Sequence, residues 1–292
     1  MEGKPVANPI DLASGSISLA VAPRHRHLGA DSCPDIALAL AVPRMRVPAI
    51  RGVIERRLLV NFRVDPDALA RQVPKPFEPL LVGGMGVAGI CLIRLAHIRP
   101  AVVPGRWGVG SENAAHRIAV RLPDGGEGVY IPRRDTNSRL NTPLGGRLFP
   151  GLHHHATFTS VESEDWVEVT MRSDDGDTWV GVSGRPTDVF ESVSVFPDLE
   201  TASSFFERGA LGYSNTDDTG RCEALELRTE NWRVTPIAVD RAVSSFFDDQ
   251  ERFPSGTVEF DNALPGRLST AQEYPTPTAP IRATLQEGKR TG

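Results

Sequence analysis

Lysine is scarce in this sequence. Three lysines, Lys4, Lys75 and Lys289, stand among 32 basic residues, and the rest of these are arginines. Lys4 and Lys289 lie close to the ends of the chain, and Lys75 stands between two prolines. Catalysis through a Schiff base needs a lysine that is desolvated inside a pocket. The sequence therefore offers almost no residue for that chemistry.

Cysteine is equally sparse. The three cysteines, Cys33, Cys91 and Cys222, are widely spaced and form no C-x-x-C pair. An odd number at such spacing argues against a disulfide framework and against a structural zinc knuckle. Cys91 lies in an apolar stretch, so we expect it to be a small buried hydrophobic residue.

Long hydrophobic runs are also missing. Near the N-terminus the longest run, Ile36–Val42, is far shorter than the roughly 20 residues of a membrane helix. No basic segment with a following cleavage site opens the chain, so we expect a cytoplasmic protein without a membrane partner. The net charge of −5 gives no reason to expect a nucleic-acid partner. Small molecules are the expected partners, and homo-oligomer formation is left open.

Composition divides the chain into three parts. Residues 1–44 are rich in Pro, Ala, Ser and Gly without a sustained period, which predicts a poorly ordered extension. Met45 is then a candidate for the true initiator. Residues 45–270 form the predicted single domain, and residues 271–292 a polar C-terminal tail.

Strand patterns dominate the predicted domain. Apolar runs predict strands over residues 55–64 and 86–98, and turn residues predict hairpins at 123–126 and 173–176. Helices are predicted after Asp65-Pro66, after Pro197-Asp198 and over residues 238–247. The sequence thus predicts an α+β fold, a sheet or barrel core with a few flanking helices.

Unusual polar residues concentrate in three segments, 111–117, 131–135 and 145–155. Histidines titrate near neutrality and suit proton transfer, and arginine forks suit carboxylate or phosphate ligands. We expect catalytic groups among Glu112, His116, His154 and His155. We expect substrate-binding groups among Arg117, Arg133, Arg134, Arg147 and Trp232.

Other interpretations of these residues stay open. The histidines could be hydrogen-bonded sheet residues, and Glu112 a surface carboxylate or an ion-pair partner of an arginine. Alternatively His153 and His155, which share one face of a strand, could bind a metal together with Glu112 or His116. The main prediction includes no metal and no cofactor.

The sequence from about residue 46 to residue 266 resembles the YqjF-like domain, a family of uncharacterised function in the acetoacetate-decarboxylase-like superfamily. The resemblance rests on motifs spread over the predicted domain, at residues 56–66, 111–118, 128–136, 145–151, the histidine triplet, 205–214, Trp232 and Pro236. It implies a β-barrel-like, mostly antiparallel core with a few flanking helices and an interior pocket.

The likeness to acetoacetate decarboxylases also bears on chemistry. Those enzymes carry Gly-Arg-Glu and then Gly-Phe-Pro-Lys-Lys, whose first lysine forms the Schiff base. Here Gly146-Arg147 matches the first motif, while His154 and His155 stand in the places of the two lysines. Glu112 matches a glutamate of their acid–base machinery.

The resemblance therefore implies a small-molecule enzyme of lyase, dehydratase or decarboxylase type that acts on a carboxylated or carbonyl substrate without a Schiff base. The alternatives are a non-catalytic binding protein on the same barrel and a metal-dependent enzyme using His153 and His155.

Overall fold

The computed structural model describes residues 15–20, 50–100, 108–122, 124–139, 152–209, 211–215, 222–229 and 232–266. Two helices and fourteen strands are found in these parts of the chain. The helices are α1, Pro66–Ala70, and α2, Leu199–Arg208. No helix in the described residues is both long enough and apolar enough to cross a bilayer.

The strands account for most of the described chain. The first seven are β1 (Gly15–Ala20), β2 (Ile50–Val64), β3 (Glu78–Pro79), β4 (Leu81–Val82), β5 (Met85–Pro100), β6 (Val109–Arg121) and β7 (Glu127–Thr136). The others are β8 (His153–Glu162), β9 (Val167–Ser173), β10 (Trp179–Pro186), β11 (Leu211–Asn215), β12 (Cys222–Thr229), β13 (Ile237–Ser244) and β14 (Val258–Pro265). Strand β1 lies within the predicted N-terminal extension, between β12 and β2.

The strands pair into one large mixed sheet, which confirms the α+β fold class but not the predicted barrel. The order is β13-β10-β9-β8-β7-β11-β12-β1-β2-β5-β6-β3, and β6 pairs in addition with β7. The pairing branches at β7, which lies parallel to β11 near Tyr130 and parallel to β8 near Asp135. Because the two end strands β13 and β3 do not pair with each other, the sheet as a whole is not a closed barrel.

The central strands β2, β5 and β6 bury both faces. One face packs against β8, β9, β10 and β13 around Leu58, Ile90, Ile118, Met171 and Phe247. The other face packs against α2, where Leu59, Val87 and Ala119 belong to the same core cluster as Phe206. We call this second surface the α2 face. A polar residue on either face therefore lies in a buried environment and needs a partner.

Local signals place both helices where the sequence predicts them. Asp65 accepts a hydrogen bond from the Ala68 amide (2.9 Å), and Pro66 occupies the first helical position of α1. Asp198 caps α2 in the same way through Thr201 (2.7 Å), and Gly209 ends it. The helix predicted over residues 238–247 is wrong, because residues 237–244 form strand β13 beside β10.

Candidate anion-binding site

Three arginines lie on the α2 face and form what we call the arginine site: Arg57 on β2, Arg117 on β6 and Arg134 on β7, which pairs in register with Ala115 of β6. The strands β2, β5 and β6 are adjacent and antiparallel. Side chains two residues apart on a strand share a face, so Arg57 projects on the same side as Leu59, and Arg117 as Ala119. Both apolar neighbours belong to the core under α2.

Arg117 is the most enclosed member of the site. It is 8% exposed, its guanidinium lies 4.8 Å from the ring centre of Phe206, and it donates a hydrogen bond to Asn61. Its Nε has no partner. Burial lowers the pKa of Arg117 to about 10; the nearby Cys91 thiol opposes this and the charge of Arg57 adds to it. At neutral pH the group is still a cation.

Gly89 of β5 lies between Arg117 and Asn61, because it pairs in register with both residues across the sheet. A Cβ at this position would lie 2.3 Å from the carbonyl oxygen of Val60 and 3.1 Å from Oδ1 of Asn61. Because the glycine has no side chain, the arginine can cross β5 and reach the amide.

A buried relay of hydrogen bonds holds the side-chain amide of Asn61 in place. Its Nδ2 donates to Oδ1 of Asn262 (2.7 Å), and Asn262 donates to Oδ2 of Asp261 (2.5 Å). Asp261 also accepts from the Ser194 hydroxyl (2.7 Å). The carboxylate of this relay is therefore three hydrogen bonds away from Arg117 and forms no ion pair with it.

Arg57 is held by an aromatic ring instead of a carboxylate. Its guanidinium lies 4.5 Å from the ring centre of Trp232, a geometry in which the ring attracts the cation. Trp232 is fixed in turn by its Nε1, which donates to the carbonyl oxygen of Ser203 on α2 (3.1 Å). Arg57 is 9% exposed, and its Nε has no partner.

Arg134 completes the site from β7. Its Nε donates to the Ser214 hydroxyl on β11 (2.9 Å), and its side chain is half-buried. Burial lowers the pKa of Arg134 to about 10, and Cys91 opposes this shift. Among the side chains that the structure describes, no Asp or Glu pairs with Arg57, Arg117 or Arg134. The arrangement is electropositive and suits an anion.

The space beside Arg117 is narrow. A cavity of about 10 Å³, lined by Arg117, Val87 and Phe206 among others, lies between α2 and the sheet. This is about the size that accepts one water-sized group, such as one oxygen of a carboxylate, so the rest of a bound acid would lie outside the cavity. A larger cavity of about 240 Å³ lies elsewhere, beside Phe62, Phe247 and Phe260, and none of the predicted site residues lines it.

Glu112 lies in a different cluster. Each of its carboxylate oxygens accepts from an arginine, Oε2 from Arg56 and Oε1 from Arg94 (2.6 Å). Glu162 on β8 pairs with the same two arginines, at 2.6 Å from Arg56 and 3.0 Å from Arg94. We call these four residues the ion-pair cluster. It ties β2, β5 and β6 to β8.

His116 lies in the main core. It is fully buried against Phe246 and Phe247, and its Nε2 lies 3.2 Å from the Ser244 hydroxyl. Its Nδ1 has no partner. Burial, with smaller contributions from the charges of Arg133 and Arg252, lowers the pKa of His116 to about 3. The imidazole is therefore neutral at physiological pH.

The histidine triplet opens β8 beside an acidic turn. Nδ1 of His154 lies 2.9 Å from Asp175, and Nδ1 of His155 lies 2.7 Å from Asp174. Arg133 joins this group through ion pairs to Asp175 and to buried Asp135, each of 2.8 Å. In the part of the chain that the structure describes, no group of three or more His, Cys, Asp or Glu side chains is arranged so that it could hold a metal ion.

The family model DUF2071, an uncharacterized conserved protein (COG2071), matches residues 53–258. The chain belongs to this family. The predicted YqjF-like membership is thereby confirmed. No curated protein matches the sequence.

Solved structures similar to this DUF2071 protein include an acetoacetate decarboxylase-like enzyme from Sphingomonas wittichii RW1, with 12% identity, 88% and 89% of the two chains covered and a TM-score of 0.48. Acetoacetate decarboxylase from Legionella pneumophila has 14% identity, 85% and 98% coverage and a TM-score of 0.42. The enduracididine biosynthesis enzyme MppR has 10% identity, 90% and 95% coverage and a TM-score of 0.45. Since all three scores fall below 0.5, we base the site on this chain's own contacts.

The structure of the DUF2071 protein brings together three predicted substrate-binding residues, Arg117, Arg134 and Trp232, all at the α2 face. It places Glu112, His116 and Arg133 in three other environments. Arg147 lies outside the described residues, so its role in substrate binding stays a prediction. Arg57 was not predicted, because it follows Arg56 at the start of an apolar run and no local pattern distinguishes the two.

Proposed function

We propose that this DUF2071 protein is a small-molecule enzyme that acts on a carboxylated or carbonyl compound without a Schiff base. The observation that carries the proposal is the arginine site, with two guanidinium groups about nine-tenths buried and no carboxylate paired with them in the described residues. Burying such cations unpaired is costly, and an anionic ligand would offset that cost.

The same cations suit the chemistry of a carbonyl acid. One guanidinium would hold the substrate carboxylate through two parallel hydrogen bonds. A second would stabilise the negative charge that develops on a carbonyl oxygen when a bond beside it breaks and the electron pair moves to that oxygen. Decarboxylation of an oxo acid and eliminations that pass through an enolate both develop such a charge.

A non-catalytic binding protein is the second candidate. One observation favours it: both oxygens of Glu112, the predicted proton-transfer group, are engaged by arginines. A carboxylate held in this way is a poor general base. An experiment that uses NMR to monitor whether the protein consumes any of a panel of oxo acids separates the two candidates. An enzyme would consume its substrate, whereas a binding protein would bind the acids without turnover.

We expect small oxo acids, such as acetoacetate and 2-oxoglutarate, to bind, and their methyl esters to bind at least tenfold more weakly. Charge-assisted hydrogen bonds contribute roughly 1.5–3 kcal/mol, which corresponds to about tenfold or more in affinity. Replacing Arg134 by glutamine should weaken acid binding by a similar factor. Isothermal titration calorimetry on wild type and variant measures both differences.

Arg208→Gln is the matched control, since it removes an exposed arginine at the end of α2 that pairs with Glu127. It should bind the acids as wild type does. Equal binding of acid and ester would contradict anion binding at the arginine site, and so would an unchanged affinity in both Arg134→Gln and Arg117→Gln. Either result would also contradict the proposed function.

We also expect no covalent adduct when the protein is treated with these acids and borohydride. Lys75 is the one lysine within the described residues, and it is exposed, whereas Schiff-base catalysis needs a lysine that is desolvated in a pocket. Peptide mass spectrometry after reduction would detect a trapped amine. A mass-shifted peptide that contains Lys75, and that disappears in Lys75→Arg, would contradict chemistry without a Schiff base.

A further inference from the structure

Cys91 lies at the centre of the arginine site. It stands on β5 in register with Leu59 of β2 and Ala115 of β6, and it packs with the core residues of the α2 face. Arg57 and Arg117 are each two residues from these partners along their strands. They are therefore diagonal neighbours of Cys91, about 7–8 Å away between backbones and within reach of a long side chain. The thiol is free and partly exposed.

The surrounding cations point to a ligand independently of the cysteine. Arg57 and Arg117 are about nine-tenths buried, and Nε of each has no hydrogen-bond partner. Arg134 lies on the same face of the sheet, because it pairs in register with Ala115 of β6, which pairs in turn with Cys91. Reactive cysteines are found in electropositive, partly exposed surroundings of this kind.

We propose that Cys91 is a nucleophile guided by the arginine site. The arginines hold the carboxylate of an electrophilic acid, and the Cys91 sulfur attacks the carbon beside it. With a 2-oxo acid, a C–S bond forms and the π pair of the carbonyl moves to oxygen. That oxygen takes up the proton that the thiol lost, which gives a thiohemiketal. This inference rests on the anion site of the proposed function and adds a covalent step to it.

Paired alkylating reagents test the proposal without knowledge of the substrate. Iodoacetate carries a carboxylate and iodoacetamide a neutral amide, but both react by the same displacement, in which sulfur bonds to carbon and iodide leaves with the electron pair. Cys91 should react about tenfold faster with iodoacetate, as expected for roughly 1.4 kcal/mol of added binding. Peptide mass spectrometry on the folded protein measures both rates, with Cys33 and Cys222 as internal comparisons.

The preference should disappear in Arg117→Gln and in Arg134→Gln and persist in Arg208→Gln. Arg134 is half-buried and bonded to one hydroxyl, so its variant is informative even where Arg117→Gln does not fold, as judged by circular dichroism. Equal rates for the two reagents, or a preference that survives both substitutions, would overturn the role of Cys91. Calorimetry on Cys91→Ser separates this failure from that of the proposed function. If oxo acids still bind to it, the anion site stands without the nucleophile.

Discussion

Replacing Glu112 by glutamine should lower the free energy of unfolding by roughly 3 kcal/mol, the order expected when one partner of a buried ion pair is removed. The substitution keeps the size of the side chain but removes its charge. Arg56, whose side chain is 4% exposed, would keep Glu162 as its one carboxylate partner and would share it with Arg94. Urea unfolding followed by circular dichroism measures the loss.

Glu259→Gln is the matched control. Glu259 pairs with Arg63, but its side chain is 59% exposed, so the loss should stay below about 1 kcal/mol. Adding Arg94→Gln to Glu112→Gln should cost less than the sum of the single changes, because Arg94 pairs with Glu112 through Nε. A Glu112→Gln protein of wild-type stability that has lost turnover would instead support the catalytic role predicted from the sequence.

Alternation along strands explains which part of the site could be predicted. His116 and Arg117 are adjacent, as are Arg133 and Arg134, and neighbouring residues of a strand project to opposite faces. The sequence therefore predicts that each pair is divided between two environments. It does not say which face carries α2, because that depends on strand pairings between residues far apart in the chain. Hence Arg117 and Arg134 belong to the arginine site, while His116 lies among phenylalanines.

The wrong prediction of a helix over residues 238–247, where the structure has β13, has a local cause. Against β10, Ser183 pairs with Arg241 and Gly184 with Val239, so Asp240 forms a bulge. The bulge places Val239 and Ala242, three positions apart, on the same core. This spacing is typical of a helix, and a sequence pattern cannot separate the two cases. Pairing with β10 then determines the structure.

Arg57 was missed for a related reason. In the sequence it follows Arg56 at the start of an apolar run, which is where a solvated pair of charges is ordinarily found. The structure divides this pair: Arg56 enters the ion-pair cluster and Arg57 stacks on Trp232. The partners lie 56 residues or more from the pair, at Glu112, Glu162 and Trp232, so no local pattern identifies them.

We expect stability to fall with pH in acid because of His116. Its pKa is lowered in the folded protein to about 3 from an ordinary value of 6.5, so the unfolded chain binds the extra proton first. The contribution of His116 to the free energy of unfolding is therefore fully present above about pH 6.5 and is lost as the pH falls from 6.5 towards 3. The slope approaches about 1.4 kcal/mol per pH unit, and the loss between pH 7.5 and 5 is roughly 2 kcal/mol.

His116→Gln isolates this contribution, since glutamine does not titrate and can still hydrogen-bond to the Ser244 hydroxyl. Other groups also titrate in acid; burial raises the pKa of Asp135 against the opposing effect of Arg133, which gives a pH dependence of opposite sign. These contributions are common to both proteins and cancel in the difference. Urea unfolding of both proteins at several pH values measures the free energy of unfolding as a function of pH. Over the same interval this free energy should fall by roughly 2 kcal/mol less in the variant than in wild type. Parallel curves would mean that His116 is protonated within the fold, and so that the core around Phe246 and Phe247 admits a charge.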